Sequence, residues 1–467
     1  MLLLVPSVVS VSINKTSQSK NGDILYVGGS GPGNYTKIQD AIDNTSHKDT
    51  VYVYNGTYYE NVIINKYRIS LIGEKKETTI IDGGGIDDVV LIDGEDNVWA
   101  TISGFTIQNS GNDAWDDAGI DIQTHSNTIT GNIIRDNGWY GIYCIGDEYH
   151  YYSGLNNIYD NIVINNEFGI FLDRCFYNEI YDNYVANNKR TGILISTTTS
   201  IANMEDLLLY EFNNDVFSNT ITNNGEGIEI GLSNTNVYDN DITNNTEGIL
   251  LAAPNHIECA YSNIYQNNIT NNTEGISITA EICCSRTVDN NIFQNKISDN
   301  KMGIKIELGD CAGGPIEVGN NNIYQNNITY NEKGISVFES GSGMSYIRNN
   351  RFYHNNFKGN KEHAYDEEYN RWDNGSVGNY WDDYNGIDIM LPYGIGDIPY
   401  NVPPRILSNK DRYPLMVPWP DVCLYNNNQP NENSNSQSIT QQSTNPLFLQ
   451  FLERFPLLKQ LFSLYFS

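Results

Sequence analysis

The octapeptide ITNNTEGI occurs twice in the chain, at Ile242–Ile249 and at Ile269–Ile276. Close variants lie on either side of it: ITNNGEGI at Ile221–Ile228, ISDNKMGI at Ile297–Ile304 and ITYNEKGI at Ile328–Ile335. In each copy short apolar pieces alternate with Asn or Gly, which is the pattern of short strands separated by tight bends. One piece cannot bury its Ile side chains alone, but a stack of copies forms a continuous apolar column. The repetition therefore predicts a solenoid.

The repeat extends beyond the octapeptide as a series of Gly-Ile pairs. These pairs begin at Gly119, Gly141, Gly169, Gly192, Gly227, Gly248, Gly275, Gly303 and Gly334. Their spacing runs from 21 residues (Gly227 to Gly248) to 35 residues (Gly192 to Gly227), so a short unit carries insertions of different length. Stacked strands lie about 4.8 Å apart, so about ten coils give a rod of roughly 50 Å. We predict an all-β fold, a right-handed parallel β-helix of about ten or more coils. A leucine-rich repeat would need Leu where this chain has Ile.

Composition and charge agree with this fold and exclude several function classes. The 467 residues include 40 Gly and 33 Tyr and are rich in Asn, a composition that suits strands and tight turns better than helices. Lys and Arg number 27 against 57 Asp and Glu, which gives a net charge of −30. Such a charge repels nucleic acid and anionic lipid, so we expect neither as a partner.

The two ends predict an exported protein. Leu2–Val11 is an apolar run of signal-peptide length without the basic residues that normally precede one, so we interpret it as a remnant; a buried first strand is the alternative. The short amphipathic pattern at Thr36–Asn44 predicts a helix that covers the first coil with Ile38, Ala41 and Ile42. The predicted segments are a signal-peptide remnant (1–20), an N-terminal helical cap with the first coils (21–115), the β-helix repeats (116–360), a closing segment (361–425), a disordered Asn/Gln/Ser linker (426–446) and a hydrophobic amphipathic tail for membrane or surface attachment (447–467).

Several motifs resemble one family. These motifs are YTKIQDAID at Tyr35–Asp43, DTVYVYNGTYYENVIINK at Asp49–Lys66, GNYWDDYNGIDIMLPYGIGDIPY at Gly378–Tyr400 and DRYPLM at Asp411–Met416, together with the Asn-Asn-x-x-Gly-Ile coils. They resemble the NosD-like right-handed β-helix family, within the broader pectin-lyase-like set of carbohydrate-binding and sugar-hydrolase repeats. The resemblance implies the fold and an archaeal surface-protein type. It leaves activity open, because this fold hosts lyases, hydrolases, epimerases, adhesins and surface proteins.

The insertions indicate the face that binds. Nearly all of them follow the Gly-Ile strand: Ile145–Leu155, Ser196–Asn214, Ala252–Ala260, Ala280–Val288, Leu308–Gly319 and Ser340–Tyr346. Insertions at one phase of a solenoid lie on one side of it and usually mark the binding face. The candidate substrate-binding residues are the outward side chains of the early coils and their neighbours: Trp115, Asp116, Asp117, Asp121, Gln123, Tyr143, Phe171, Asp173 and Arg174.

Acidic, aromatic and Arg side chains in one row are what a sugar polymer meets in an enzyme groove. If the protein is an enzyme, Asp121, Asp173 and Arg174 are the candidates for acid/base work in a hydrolase or lyase. The competing interpretation is that they are ordinary surface residues of an acidic protein. Later coils carry mixed residues at the same outward sites, which are Leu194, Glu229, Leu250, Ser277, Lys305 and Ser336. That mixture favours recognition by loops.

Six of the seven cysteines lie on or just after the Gly-Ile strands: Cys144, Cys175, Cys259, Cys283, Cys284 and Cys311. Adjacent coils bring such positions within disulfide reach, so we predict a Cys144–Cys175 bridge and a bridge from Cys259 to Cys283 or Cys284, with the remaining one of that pair bridged to Cys311. A metal site formed by the four later cysteines with His256 is the rival interpretation. Copper delivery, which the NosD resemblance implies, has little support because the six His and six Met are scattered.

One run in the closing segment resembles part of a calcium loop. Asp383, Asn385 and Asp388 present oxygen ligands at alternate positions around a Gly, although turn chemistry explains the same letters. No cofactor is required, and Ca²⁺ is an optional ligand.

The sequence therefore predicts an exported or cell-surface β-helix with a binding or structural role, which recognises extracellular polysaccharide or neighbouring surface proteins through its loops. A polysaccharide lyase or glycoside hydrolase is the alternative. A NosD-like copper-handling accessory protein is third. We lean away from an enzyme.

Overall fold

The computed structural model describes residues 22–94, 98–112, 117–146, 154–197, 212–254, 257–280, 284–309, 315–338, 345–404 and 409–421. All of these lie in one compact unit, residues 1–425. The second unit, residues 426–467, lies outside the described residues and contains the predicted linker and tail.

Three long sheets run the length of the rod, and most coils contribute at least one strand to each of them. We number them in the order in which a coil visits them. Sheet 1 contains Ile24–Val27, Thr50–Val53, Ser70–Gly73, Thr101–Ser103, Thr128–Thr130, Asn157–Tyr159, Glu179–Tyr181, Asp215–Phe217, Asn236–Tyr238, Glu258–Ala260, Asn263–Tyr265, Arg286–Val288, Asn291–Phe293, Glu317–Gly319, Asn322–Tyr324, Tyr346–Tyr353 and Tyr369–Arg371. Sheet 2 contains Gly56–Tyr59, Thr79–Asp82, Thr106–Gln108, Ile133–Arg135, Ile162–Ile164, Tyr184–Ala186, Thr220–Thr222, Asp241–Thr243, Asn268–Thr270, Lys296–Ser298, Asn327–Thr329, Asn356–Lys358 and Tyr380–Trp381.

Sheet 3 holds the Gly-Ile strands. It contains Val62–Ile64, Val90–Ile92, Ala118–Ile122, Tyr140–Ile145, Phe168–Asp173, Thr191–Ser196, Glu226–Ile230, Glu247–Ala253, Glu274–Ala280, Met302–Leu308, Lys333–Val337 and Glu362–Asp366. Every pairing within these three sheets is parallel, for example Ile249 with Ile276. The fold is a right-handed parallel β-helix, as predicted. A short antiparallel pair, Tyr400–Asn401 with Lys410–Asp411, lies in the closing segment.

Identical letters recur because identical positions stack. Ile242 pairs with Ile269, which pairs with Ile297, and all three side chains are fully buried. The Gly of each Gly-Ile pair is required by close approach of the next coil: a Cβ on Gly248 would lie 2.5 Å from the carbonyl oxygen of Gly275. The apolar column predicted from the octapeptide is therefore the core of the rod.

Buried Asn side chains form ladders at the bends. Asn267 is representative: its Nδ2 donates to the Val237 carbonyl at 2.9 Å, the Tyr265 carbonyl at 3.1 Å and Asn295 Oδ1 at 3.0 Å. Its own Oδ1 accepts from the backbone N and the Nδ2 of Asn240, both at 3.0 Å. The residue before each such Asn lies in the left-handed region, which turns the chain into the next sheet. These bonds satisfy backbone groups that the bends would otherwise leave buried and unpaired.

A row of aromatic rings covers the outside of sheet 1. Tyr159, Tyr181, Phe217, Tyr238, Tyr265, Phe293, Tyr324 and Tyr353 stack in that order, with centroids 4.8–5.2 Å apart and planes within 3–9° of parallel. Because the ring faces lie against each other, this row offers only ring edges outward. We interpret it as a stabilising element of the rod.

The predicted N-terminal helix is present, but it is short. It spans Ile38–Asp43, with Ile38, Ala41 and Ile42 buried as predicted. A helix of six residues is less than two turns, and a helical cap over the first coil is not evident.

The C-terminal end of the core is covered by stacked aromatic rings. Trp372 lies 4.3 Å from Phe352, and Trp381 lies between Phe357 at 4.2 Å and Tyr400 at 4.1 Å. Buried carboxylates hold the two indoles: Trp372 Nε1 donates to Asp366 at 2.8 Å, and Trp381 Nε1 donates to Asp411 at 2.9 Å.

The two buried carboxylates predict how stability changes with pH. Burial raises the pKa of Asp366 to about 6 and that of Asp411 to about 7, above the ordinary 3.8. These carboxyl groups have a higher pKa in the folded protein than in the unfolded chain. Their contribution to stability is therefore complete below the pKa of the unfolded chain, and it is lost as the pH rises through the pKa of the folded protein. We expect a lower melting temperature at about pH 8 than at about pH 5, and a smaller difference in Asp411→Asn. Circular dichroism melts check this; an unchanged pH dependence in Asp411→Asn would contradict it.

Candidate functional site

The outward face of sheet 3 carries a row of side chains that runs along the rod. The pairing places Asp121 beside Tyr143, Tyr143 beside Phe171 and Phe171 beside Leu194. The same row then runs through Glu229, Leu250, Ser277, Lys305 and Ser336. The sequence assigned these positions to the outside, and their register agrees.

In the early coils this face is buried. Tyr143, Phe171 and Leu194 form a cluster with Tyr140 and Phe168, and Tyr143 lies 5.4 Å from Phe171. The exposed fractions are 2% for Asp121, 6% for Asp117 and Tyr143, 1% for Phe171 and 0% for Asp173. Among the described candidates, Arg174 is half-buried and only Gln123 is exposed. Trp115 and Asp116 lie outside the described residues.

The candidate catalytic groups of the early coils bond to one another. Tyr143 OH donates to Asp173 Oδ2 at 3.2 Å, and Arg174 Nε lies 3.3 Å from Asp173 Oδ1. Gln123 Nε2 donates to Asp121 Oδ2 at 2.6 Å. Burial and the Asp173 charge raise the pKa of Tyr143. The structure thus brings Tyr143, Phe171, Asp173 and Arg174 together, but as an internal network of buried groups. Their contact with a ligand stays a prediction.

A second set of polar groups on the same face lies in the middle coils, and the sequence reasoning missed it. We call it the middle-coil site: Glu247, Glu274, Ser277, Lys305 and Glu307. Glu247 and Glu274 are paired across adjacent strands. Lys305 Nζ lies 3.1 Å from Glu274 Oε1 and also pairs with Glu307, while Ser277 Oγ donates to Glu274 Oε2 at 2.7 Å. The signal was present in the octapeptide, since Glu247 and Glu274 are the Glu of its two identical copies. Identical letters stack, so the two carboxylates had to meet.

Glu247 is the group in this site that has one carboxyl oxygen without a partner. Its Oε2 is a buried atom without a hydrogen-bond partner. Burial and the charge of Glu274 raise the pKa of Glu247 to about 7. Burial lowers the pKa of Lys305, but hydrogen bonds to Glu307 and Glu274 raise it overall. Glu247 therefore keeps its proton at pH values below about 7, beside a second carboxyl that is ion-paired with an ammonium group.

An aromatic platform continues the face toward the C-terminal end. Phe338 and Tyr365 are half-buried, with centroids 5.9 Å apart. Lys333 Nζ lies 5.4 Å from the Phe338 ring centre and 5.8 Å from that of Tyr365. A site that binds a sugar combines an aromatic surface with carboxylate, ammonium and hydroxyl groups, because a pyranose has apolar C–H faces and polar edges.

The four described cysteines, Cys144, Cys175, Cys259 and Cys284, form no disulfide, so the predicted Cys144–Cys175 bridge is not present in this structure. Cys144 and Cys175 nevertheless lie as the sequence predicted, on adjacent coils, with sulfur atoms 3.1 Å apart. Cys259 is fully buried, and burial raises its pKa to about 12. Cys283 and Cys311 lie outside the described residues, as does His256.

We expect Cys144 and Cys175 to form a disulfide under oxidising conditions, because neighbouring coils hold both sulfur atoms within reach of a bond. Peptide mass spectrometry without reduction should recover a Cys144–Cys175 cross-link, and Cys144→Ser should abolish it. Recovery of both residues as alkylated thiols after oxidation would contradict the prediction.

The predicted calcium ligands do not converge, and Ca²⁺ is not supported. Asp383 Oδ2 accepts from Tyr400 OH at 3.3 Å, Asp388 Oδ2 accepts from the Gly394 backbone at 2.8 Å, and Asn385 is exposed. The run is explained by turn chemistry, the alternative that the sequence left open.

Among the described residues, the one group of three His, Cys, Asp or Glu side chains that could hold a metal ion is His363, Asp382 and Asp383. His363 Nε2 lies 2.8 Å from Asp382 Oδ1 and 3.5 Å from Asp383 Oδ1. The Asn ladder argues against a metal here. Asn360 Oδ1 accepts from Asn331, so its Nδ2 faces His363 Nδ1 at 3.2 Å. That makes Nδ1 the acceptor and leaves the hydrogen on Nε2, where a metal would bind.

This group does not fit Cu(I), because it contains no sulfur ligand. The described residues bring no other three His, Cys, Asp or Glu side chains together for an ion. We therefore interpret His363 as a hydrogen-bond donor that fixes the closing segment to the last coil. Within the described residues, no helix is long and apolar enough to span a membrane.

Two family models match the chain. One, described as right-handed β-helix region, matches residues 81–253. The other, described as periplasmic copper-binding protein (NosD), matches residues 201–311 and 279–386. No curated protein matches the chain.

Solved structures share the fold at low sequence identity. The A-module of a mannuronan C-5 epimerase from Azotobacter vinelandii is 16% identical with a TM-score of 0.50, and the match covers 72% of this chain and 92% of that one. The catalytic unit of an α-1,3-glucanase from Streptomyces thermodiastaticus is 13% identical with a TM-score of 0.50, over 74% of this chain and 66% of that one. Such likeness shows the fold alone. The stacked coils, the two family models and these structures agree on a right-handed parallel β-helix, and residues 201–386 of this chain are similar to NosD proteins.

Proposed function

We propose that this protein recognises extracellular polysaccharide on the outward face of sheet 3, at the middle-coil site and the adjoining aromatic platform. The observation that carries the proposal is the ion-paired set of Glu274, Lys305 and Glu307, beside a Glu247 carboxyl oxygen without a partner. A buried polar atom without a partner costs stability, so a hydroxyl-rich ligand that bonds to it gains affinity. The platform of Phe338 and Tyr365 supplies the apolar surface for a sugar ring.

We also propose that the protein is exported and acts at the cell surface or in the periplasm. The apolar run Leu2–Val11 supports export. The family description, periplasmic copper-binding protein, supports the same compartment. Neighbouring surface proteins are the other class of partner. Copper handling is third because the one candidate metal group among the described residues lacks a sulfur ligand for Cu(I).

The experiment is incubation of the full chain with a panel of acidic and neutral polysaccharides, followed by mass spectrometry of the supernatant. We expect at least one polymer to be depleted without change in its length. If no polymer is depleted, the polysaccharide proposal fails, and binding to neighbouring surface proteins is the role that remains. Shortened chains would support the second candidate below.

Glycoside hydrolysis is the second candidate, favoured by the unequal carboxyl pair. In this scheme the protonated Glu247 donates a proton to the leaving oxygen while Glu274, paired with Lys305, acts as nucleophile or base. We expect Glu247→Gln to abolish any product formation while binding persists. Product formation by Glu247→Gln at the native rate would exclude this scheme.

A further inference from the structure

A cationic aromatic patch lies at the N-terminal end of the rod, away from the middle-coil site. Arg68 and Trp99 occupy equivalent turns on adjacent coils, each two residues before a strand of sheet 1, and those strands pair at Ser70 and Thr101. The Arg68 guanidinium carbon lies 3.8 Å from the Trp99 ring centre and 5.2 Å from that of Tyr67. One coil earlier, His47 stacks on Tyr67 with centroids 4.7 Å apart and planes 10° from parallel.

Two hydrogen-bond donors in this patch are unused. Arg68 Nε and Trp99 Nε1 are both buried atoms without a hydrogen-bond partner. Buried N–H groups are nearly always paired, and each group that is not calls for an explanation. Two of them in side chains that contact each other indicate that an acceptor belongs there.

The charge and shape of the patch specify that acceptor. Arg68 presents a planar fork of N–H groups, which matches the two oxygens of a carboxylate. Arg68 is the cation of the patch, on a chain with a net charge of −30. Tyr67 is 43% exposed, so its ring offers a surface to the apolar face of a ligand. A carboxylate joined to a ring with a C–H face fits both requirements.

We propose that Tyr67, Arg68 and Trp99 form a recognition site for a carboxylate-bearing sugar residue of an acidic polysaccharide. This inference rests on the proposed function, because it names the class of polymer, but it lies on different coils. The carboxylate binds the Arg68 guanidinium and accepts from Trp99 Nε1, and the sugar ring lies on Tyr67. His47 stacks on the Tyr67 ring and fixes its orientation.

Calorimetric titration of the full chain with a short oligouronate and with its carboxyl-reduced counterpart tests the site. We expect Arg68→Gln to weaken oligouronate binding by about ten- to hundredfold, the usual range for a lost charge-assisted hydrogen bond. Trp99→Phe keeps a ring beside Arg68 and removes the N–H, so we expect a loss of about tenfold or less. The matched control is Arg371→Gln, an exposed arginine on the last coil, which should bind as the native chain does. Melting temperatures establish that each variant is folded.

Three results would overturn the inference: no oligouronate binding by the native chain, equal binding by Arg68→Gln, or equal binding of the carboxyl-reduced sugar. Lys305→Met separates this site from the proposed function. Loss of oligouronate binding in Arg68→Gln alone supports the inference and counts against the middle-coil site. Loss in Lys305→Met alone supports the middle-coil site and overturns the inference.

Discussion

Replacing Asn267 by Ala is expected to destabilise the rod by about 3–5 kcal/mol. The substitution removes three hydrogen bonds that Asn267 Nδ2 donates and two that its Oδ1 accepts. It leaves the Asn240 backbone N–H and the Val237 carbonyl buried without these partners. Each such group costs about 1–3 kcal/mol, so the loss exceeds that of any single exposed bond.

The next residue supplies a matched control. Asn268 has the same side chain, but it is only half-buried and donates one bond, to Asp241 Oδ1 at 2.8 Å. We expect Asn268→Ala to change stability by less than about 1 kcal/mol. Denaturant unfolding of both variants measures the difference, and similar losses would show that the ladder does not hold the coils together.

Replacing Lys305 by Met is expected to weaken polysaccharide binding by about ten- to hundredfold. Lys305 is the cation between Glu274 and Glu307, and its side chain is only 17% exposed. Met keeps the aliphatic volume but removes the charge, so the carboxylates repel one another and the polar groups lose their fixed positions. Depletion assays over a range of protein concentration measure the apparent affinity.

Lys296→Met is the control for Lys305. Lys296 is exposed on the outside of sheet 2, so it bears the same charge on another face of the same coil. We expect its replacement to leave binding unchanged. Equal losses in the two variants would mean that net charge, and not the middle-coil site, controls the interaction.

The fold could be predicted because the repeat encodes it twice. The Ile positions define the core and the Asn positions define the bends, and each repeats with the coil, so both patterns indicate the same stacking. The prediction of a helical cap went too far. The pattern at Thr36–Asn44 specifies a helix, but it does not specify that the helix covers the end of the core. Only six residues, Ile38–Asp43, are helical.

The site could be predicted only in part. Register follows from the repeat, so the neighbours of Asp173 along the rod were foreseeable. Burial was not, because it depends on how Tyr140, Tyr143 and Phe171 pack together outside the core. The pair Glu247 and Glu274 was missed because repeated letters were interpreted as stacking alone, whereas stacking identical acids also places two carboxylates side by side.

A crystal structure of the full chain with an oligosaccharide from a depleted polymer tests the central claim most directly. The account predicts a sugar on the outward face of sheet 3, with a hydroxyl bonded to Glu247 and contacts to Glu274 and Lys305. A sugar bound only along the aromatic row of sheet 1, or only on the surface of sheet 2, would contradict it.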